Sequence, residues 1–258
     1  MLSGRTFTKN GQWHTICLPF ANLYDNPLSD YTAMTLVGAQ FDKSDGTLSL
    51  NFAEADKVDA SKPYIIRWNE EKDKNNEDVT IKNPIFHSVS AIFASTPHTL
   101  AKPVDVSIEV KDKDGNELTV TDENGNKVTA PKIHFRGSYV PKTWAAGPPY
   151  PNVLLLGSGN ELFYPDGSGV SKMNSFRAYF ELEGLVAGEI GEMSFIRSFK
   201  LNFGDEEETG IMDVQSDASH SAPHALRPQW FTLDGQRLSK RPTQPGLYIH
   251  QGKKVVIK

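Results

Sequence analysis

Apolar and polar residues alternate in short runs along most of this chain, and nowhere does apolar spacing of three and four residues persist for three helical turns. Alternation sends successive side chains to opposite faces, the pattern of half-buried strands. The runs predict strands at 6–9, 13–20, 35–41, 47–52, 64–68, 79–82, 85–93, 104–110, 117–121, 127–135, 153–156, 161–164, 175–182 and 193–203. Between them 20 Gly and 16 Pro interrupt the pattern before it could lengthen into a helix. Asp45-Gly46, Asp114-Gly115-Asn116, Asn124-Gly125-Asn126 and Asp166-Gly167 supply residues that tolerate positive φ where hairpins need them. So many short strands predict an all-β chain built as a two-sheet β-sandwich.

The pattern changes twice. Trp144 to Asn152 is too rich in Pro to pair centrally and reads as an ordered surface loop. After Gly204 the alternation stops, giving way to Asp205-Glu206-Glu207-Glu208 and then to Ser, Ala and His, with too few apolar side chains to bury. This predicts a β-sandwich domain over 1–204, a linker over 205–229 and a small C-terminal β-unit over 230–258. In that unit Trp230 to Leu238 alternates around Asp234-Gly235, followed by Pro245-Gly246-Leu247-Tyr248-Ile249 and by Lys253-Lys254-Val255-Val256-Ile257-Lys258. Three short strands and two turns are expected there.

These last residues resemble the C-terminal module of many exported proteins of Bacteroides- and Prevotella-type bacteria. That module runs aromatic, apolar, Asp/Asn-Gly-x-Arg, then Pro-x-Gly-Leu/Ile-Tyr-Ile, then Gly-Lys/Arg-Lys-Val-Val-Ile/Val-Lys. The opening Gly11-Gln12-Trp13-His14-Thr15-Ile16-Cys17-Leu18-Pro19-Phe20 resembles the Gly-x-Trp-x-Thr-x-Cys-Leu-Pro-Phe start of extracellular proteins of the same group. Phe135-Arg136-Gly137-Ser138-Tyr139-Val140-Pro141 and Phe176-Arg177-Ala178-Tyr179-Phe180 follow in that group's order. The resemblance implies a secreted or cell-surface, adhesin-like segment with no catalytic residues. It also implies a terminal unit that acts either as a sorting or anchoring signal, read by export machinery such as that of type IX secretion, or as a structural cap. The partners it implies are host or bacterial surface proteins and the export apparatus; glycans are the partner that the aromatic residues below would imply.

Composition narrows the field. A net charge of −5 with scattered basic residues argues against a nucleic-acid partner. No run of 18 apolar residues predicts a transmembrane segment. Met1 to Arg5 lacks the apolar core of a signal peptide, so the chain is expected to be part of a longer exported protein or one trimmed of its leader. One cysteine, Cys17, excludes a disulfide framework within the chain.

Candidate chemistry is sparse. Cys17, with Ile16 and Leu18 beside it, reads as a core thiol, and His14 three positions away falls on the opposite strand face. Gly157-Ser158-Gly159 lacks the third glycine and following helix of a phosphate loop and reads as a hairpin turn. Asp112, Asp114, Asn116 and Glu123 imitate the oxygen ligands of a calcium loop, although Glu117 occupies its obligatory glycine. A loose calcium site is the single cofactor expectation. Trp144, Tyr150, Tyr139 and Trp68 are the aromatic candidates for stacking on sugar rings, because the loops that carry them are expected to be exposed. The sequence thus predicts a non-enzymatic structural or adhesive segment, with a carbohydrate-binding module built on the Trp144–Tyr150 loop as the alternative.

Overall fold

The computed structural model describes residues 2, 5–21, 28, 30–86, 93–95, 99–122, 125–188, 195–204, 212–213, 215–216, 230–231, 237–238, 246–250 and 253–257, with 93–95, 99–100, 195 and everything from 212 onward as backbone alone. The chain divides into two compact units, Met1–Ala218 and Ser219–Lys258. In the first unit, β1 (Thr6–Thr8), β2 (His14–Cys17), β3 (Tyr31–Asp42), β4 (Thr47–Glu54), β5 (Pro63–Trp68), β6 (Thr80–Lys82), β7 (Phe93–Ser95) and β8 (Thr99–Leu100) come first. There follow β9 (Val106–Asp112), β10 (Thr119–Thr121), β11 (Lys127–Thr129), β12 (Lys132–Ser138), β13 (Lys142–Trp144), β14 (Val153–Leu156), β15 (Leu162–Tyr164), β16 (Ser171–Met173) and β17 (Arg177–Glu183). The unit closes with β18 (Val186–Ala187), β19 (Phe195–Ile196), β20 (Ser198–Asn202), β21 (Met212–Asp213) and β22 (Gln215–Ser216). Among the described residues the only helical element is a 3₁₀ turn at Ser158–Asn160, and no helix is long and apolar enough to cross a membrane.

The expected all-β, sandwich-like architecture is what the chain forms, and β3 organises it. One edge of β3 pairs with β4. The other edge is shared: Tyr31 to Met34 pair antiparallel with β5, and Ala39 to Phe41 pair parallel with β9. The sheet therefore forks into a short β5–β2 branch and a long β9–β12–β17–β14–β15–β22 branch, with β4, β20 and β21 on the common side. Leu48, Leu50, Ile133, Phe135, Phe180 and Leu201 from these parts meet in one buried core. Phe135 stacks on Phe180 at 4.5 Å between ring centroids, and Phe52 meets Phe180 edge-on at 6.4 Å.

The fork is set up by an irregularity in β3. Met34 and Leu36 are buried at even positions, Ala39 and Phe41 at odd ones. Period-two alternation would send one pair to solvent. The register shift between Leu36 and Gly38 absorbs the extra residue, leaving Val37 half exposed and both pairs inside. The same bulge lies where the second edge passes from β5 to β9.

β5 is buried on both faces. Ile65 joins the central core, whereas Tyr64, Ile66 and Trp68 join a second cluster with Phe7, Ile16 and Leu18, beside the β1–β6 pair. A third cluster of Trp144, Val153, Leu155, Phe163, Met173 and Tyr179 accompanies the β13–β16 pair.

The first unit reaches beyond the expected boundary at 204. β21 pairs with β20 and β22 with β15, so 212–213 and 215–216, inside the expected linker of 205–229, belong to its sheets. Their pairing uses backbone groups, which composition does not report. The second unit is an antiparallel sheet of β23 (Trp230–Phe231), β24 (Arg237–Leu238), β25 (Gly246–His250) and β26 (Lys253–Ile257), in the order β24-β23-β25-β26. It has four strands where three were expected, because the stretch starting at Trp230 pairs with itself, Trp230 opposite Leu238. The Asp234-Gly235 turn lies outside the described residues.

Candidate functional site

The aromatic residues singled out for sugar stacking are not brought together on a surface. Trp68 is 2% exposed, set between Phe7 and Tyr31 in the second cluster. Trp144 is not in a loop at all: it ends β13, is 9% exposed and meets Tyr179 edge-on at 5.5 Å. It pairs with Ser171 of β16, and no local pattern announces that pairing. Tyr150 is half-buried against the same cluster, and its amide donates to the Pro165 carbonyl at 2.7 Å. Tyr139 leans on Phe176, with its hydroxyl buried. Only Ala145 to Pro149 remain as the exposed loop, and they carry no ring that could stack.

The calcium candidates also find a structural role. Asp112 Oδ1 accepts from the Asp114 and Asn116 amides at 2.9 and 2.8 Å, and Oδ2 accepts from Asn116 Nδ2 at 3.2 Å. These donors hold the Asp112 carboxyl below its ordinary value, the Asn116 amide first among them. Asp114 turns instead to Lys113. Glu123 lies outside the described residues, and among the described residues no group of three acidic, His or Cys side chains is arranged for a metal. Asp122 and Asn126 repeat the Asp112–Asn116 pattern one turn on, which marks it as a way of closing hairpins.

Cys17 is fully buried, and burial pushes its thiol up to about 12, with Asp105 adding to the shift. A thiol so raised stays protonated and unreactive. Its neighbour across the sandwich is Gly137, where a methyl would stand 2.8 Å from Cys17 Cβ and closer still to Sγ. Gly157-Ser158-Gly159 forms the turn between β14 and β15, with Gly159 at φ 76°.

Two arrangements escape sequence reasoning. The first is a line across three neighbouring strands. Ser107 Oγ lies 2.8 Å from His134 Nδ1, and His134 Nε2 lies 2.8 Å from Glu183 Oε2. Ser107 stands opposite His134 in the β9–β12 register, so strand pairing creates the line. Its surroundings are polar: Arg136 Nε lies 3.2 Å from Glu181 Oε2 and 3.7 Å from Asp105 Oδ2. The Glu183 side chain is 61% exposed, so these hydrogen bonds act in water, where polar preorganisation is worth least.

The second is a cleft of about 190 Å³ between β2, β14, β15, β16 and β17. Leu155, Phe163 and Met173 give it an apolar lining, while Thr15, Asn174, Lys172 and Arg177 supply polar groups. No lining residue is acidic. Arg177 is half-buried, and its guanidinium is shifted below the ordinary arginine value by desolvation. The carbonyl of Thr15 accepts from Nη2 of Arg5. Arg5 is 1% exposed; its Nε and Nη1 have no hydrogen-bond partner among the described residues, and its guanidinium lies 4.3 Å from the centre of the Phe7 ring. Burial, then the charge of Arg177, lowers its pKa well below the ordinary value. His14 next to Thr15 is lowered to about 4, mainly by desolvation, with Arg5 and Arg177 both adding to the shift. Three basic residues thus converge on one end of β2 and β17, and among the described residues no acidic group contributes to their shifts. The sequence carried one hint, an arginine at position 5 inside an alternating apolar run. Comparison with protein-family models, with curated proteins and with solved structures returns no match, so the functional reading rests on the residues themselves.

Proposed function

We propose that the chain is a non-enzymatic adhesive or structural segment of a secreted or cell-surface protein of a Bacteroidetes-type bacterium. The observation that supports it is the cleft beside Thr15: it is walled by paired strands and lined by cations and apolar groups. It contains neither a nucleophile with a base nor facing carboxylates. Such a lining holds a ligand rather than transforming it. In this reading the terminal sheet is the sorting or anchoring unit, whose outer strands β24 and β26 each keep, among the described residues, one unpaired backbone edge for strand addition. Beads carrying the whole chain should attach to mucin-coated or cell surfaces more than bare beads do. Equal attachment would leave the structural half of the proposal alone.

The line Ser107–His134–Glu183 favours a second reading, acyl transfer, because a serine bonded to an imidazole that is itself bonded to a carboxylate is the arrangement that activates a hydroxyl. A fluorophosphonate probe decides it. Labelling that is lost in Ser107→Ala would establish the hydrolase; an unlabelled chain would remove it and leave the three residues as a cross-strand polar ladder.

A further inference from the structure

We infer that the cleft between β2, β14, β16 and β17 binds a carboxylate-bearing sugar ring, with Arg177 and Lys172 on the carboxylate. The charge balance is the first argument. Among the described residues neither Arg177 nor Lys172 forms a salt bridge, and Arg5, bonded to the Thr15 backbone, has two guanidinium nitrogens without a hydrogen-bond partner. Buried cations are ordinarily paired. A cleft with cations on its wall, another behind Thr15 and no acid in its lining focuses a positive potential into a small volume, which favours an anion over water. Arginine and lysine also differ usefully here: the planar guanidinium grips a carboxylate at two points, and the exposed ammonium adds a mobile charge.

Size and lining choose among anions. The cleft, at about 190 Å³, is smaller than the roughly 300–1,000 Å³ of pockets that enclose drug-sized ligands, so it takes one ring or one chain end. Leu155, Phe163 and Met173 provide an apolar contact for the C–H face of a pyranose, and Thr15 and Asn174 offer partners for hydroxyls. A bare inorganic anion would leave those apolar groups uncovered. An acidic monosaccharide uses both halves of the lining. The inference rests on the adhesive reading only for its biological use; the chemistry of the cleft stands by itself.

The test is a titration of the whole chain with galacturonate, glucuronate and N-acetylneuraminate. Galactose and glucose serve as the matched neutral sugars and trialanine as a carboxylate without a ring, all followed by ligand-observed NMR. At least one acidic sugar should bind saturably and at least tenfold more tightly than its neutral counterpart, weakening as salt is raised. Lys172→Ala and Arg177→Gln should each weaken it by at least tenfold. Lys172 is exposed, so its variant carries the test even if Arg177→Gln fails to fold. Absence of acidic-sugar binding, equal binding of acidic and neutral sugars, or unaltered binding in Lys172→Ala would each overturn the inference. Binding of trialanine alone would replace the sugar by a peptide terminus and overturn it too. Free-sugar binding without bead attachment would sink the adhesive reading and keep the site. Bead attachment that survives Lys172→Ala, with no free-sugar binding, would do the reverse.

Discussion

Gly137 and Gly38 show how differently two glycines on strands can be constrained. At Gly137 a side chain would press on the buried Cys17, whose Cβ would lie 2.8 Å away, so Gly137→Ala should cost about 1–3 kcal/mol. Adding Cys17→Ala should recover only part of that, because the Cys17 Cβ contact remains. At Gly38 the nearest atom is Asn51 Nδ2 at 3.3 Å, the end of a side chain that can swing aside, so Gly38→Ala should stay within about 1 kcal/mol. Denaturant midpoints of the three variants check the contrast. His14 makes a second prediction at this scale. Its Nε2 lies 3.2 Å from the Thr8 carbonyl, and desolvation lowers it to about 4 against an ordinary 6.5. Between those values the unfolded chain binds the proton and the folded chain does not, so stability is full above pH 6.5 and falls as pH drops towards 4. The loss should reach at most about 3 kcal/mol. In His14→Gln the thermal midpoint should lose its slope across that window; an unchanged slope would assign the effect to other groups.

At the scale of elements, one strand pair and one turn account for two of the misplaced site candidates. β13 pairs with β16, and Trp144 at its end packs with Val153, Leu155, Met173 and Tyr179. Trp144→Ala should therefore cost about 3 kcal/mol, within the range of buried aromatic truncations. A midpoint near that of the parent chain would show the ring to be dispensable. The Asp112 turn predicts a smaller effect. Asp112→Ala removes an acceptor for two amides and should lower the thermal midpoint slightly, by the same amount with or without millimolar calcium. A calcium-dependent difference in melting would reopen the metal site. The positive φ of Gly46, Gly115, Gly125 and Gly167 was readable from Asp-Gly and Asn-Gly pairs, because turn conformation depends on neighbouring residues. The burial of Trp144 was not, because it depends on Ser171–Met173 returning to pair with Lys142–Trp144 after β14 and β15 have intervened.

For the whole molecule, the boundary of the first unit is the point to test. A chain ending at Ala218 keeps β21 and β22, whereas one ending at Gly204 leaves the edges of β20 and β15 open. Both should unfold cooperatively in denaturant. The shorter one should be less stable by roughly 1–3 kcal/mol, from hydrogen bonds worth about 0.5–1.5 kcal/mol each. Equal stability would place the functional end of the sandwich at 204. The fork at β3 is likewise a property of the whole: strand lengths and faces were visible in the alternation, but partners were not. Leu36-Val37, two adjacent apolar residues breaking the alternation, was the single local sign of the bulge.

What the chain settles by itself is whatever depends on near neighbours: the all-β class, the turn positions, the coreward face of most strands, and Cys17 as a core thiol. Each follows from side-chain alternation or from φ preferences, which act over a few residues. Tertiary structure alone decided which strands pair, which aromatic rings are covered, and where charges gather. Arg5 and Thr15 come from the start of the chain and Lys172 and Arg177 from more than 150 residues later, while Ser107, His134 and Glu183 sit on three strands separated in sequence. Pairing between distant strands makes each site, and the free energy of that pairing is a sum over the whole core that no single stretch carries.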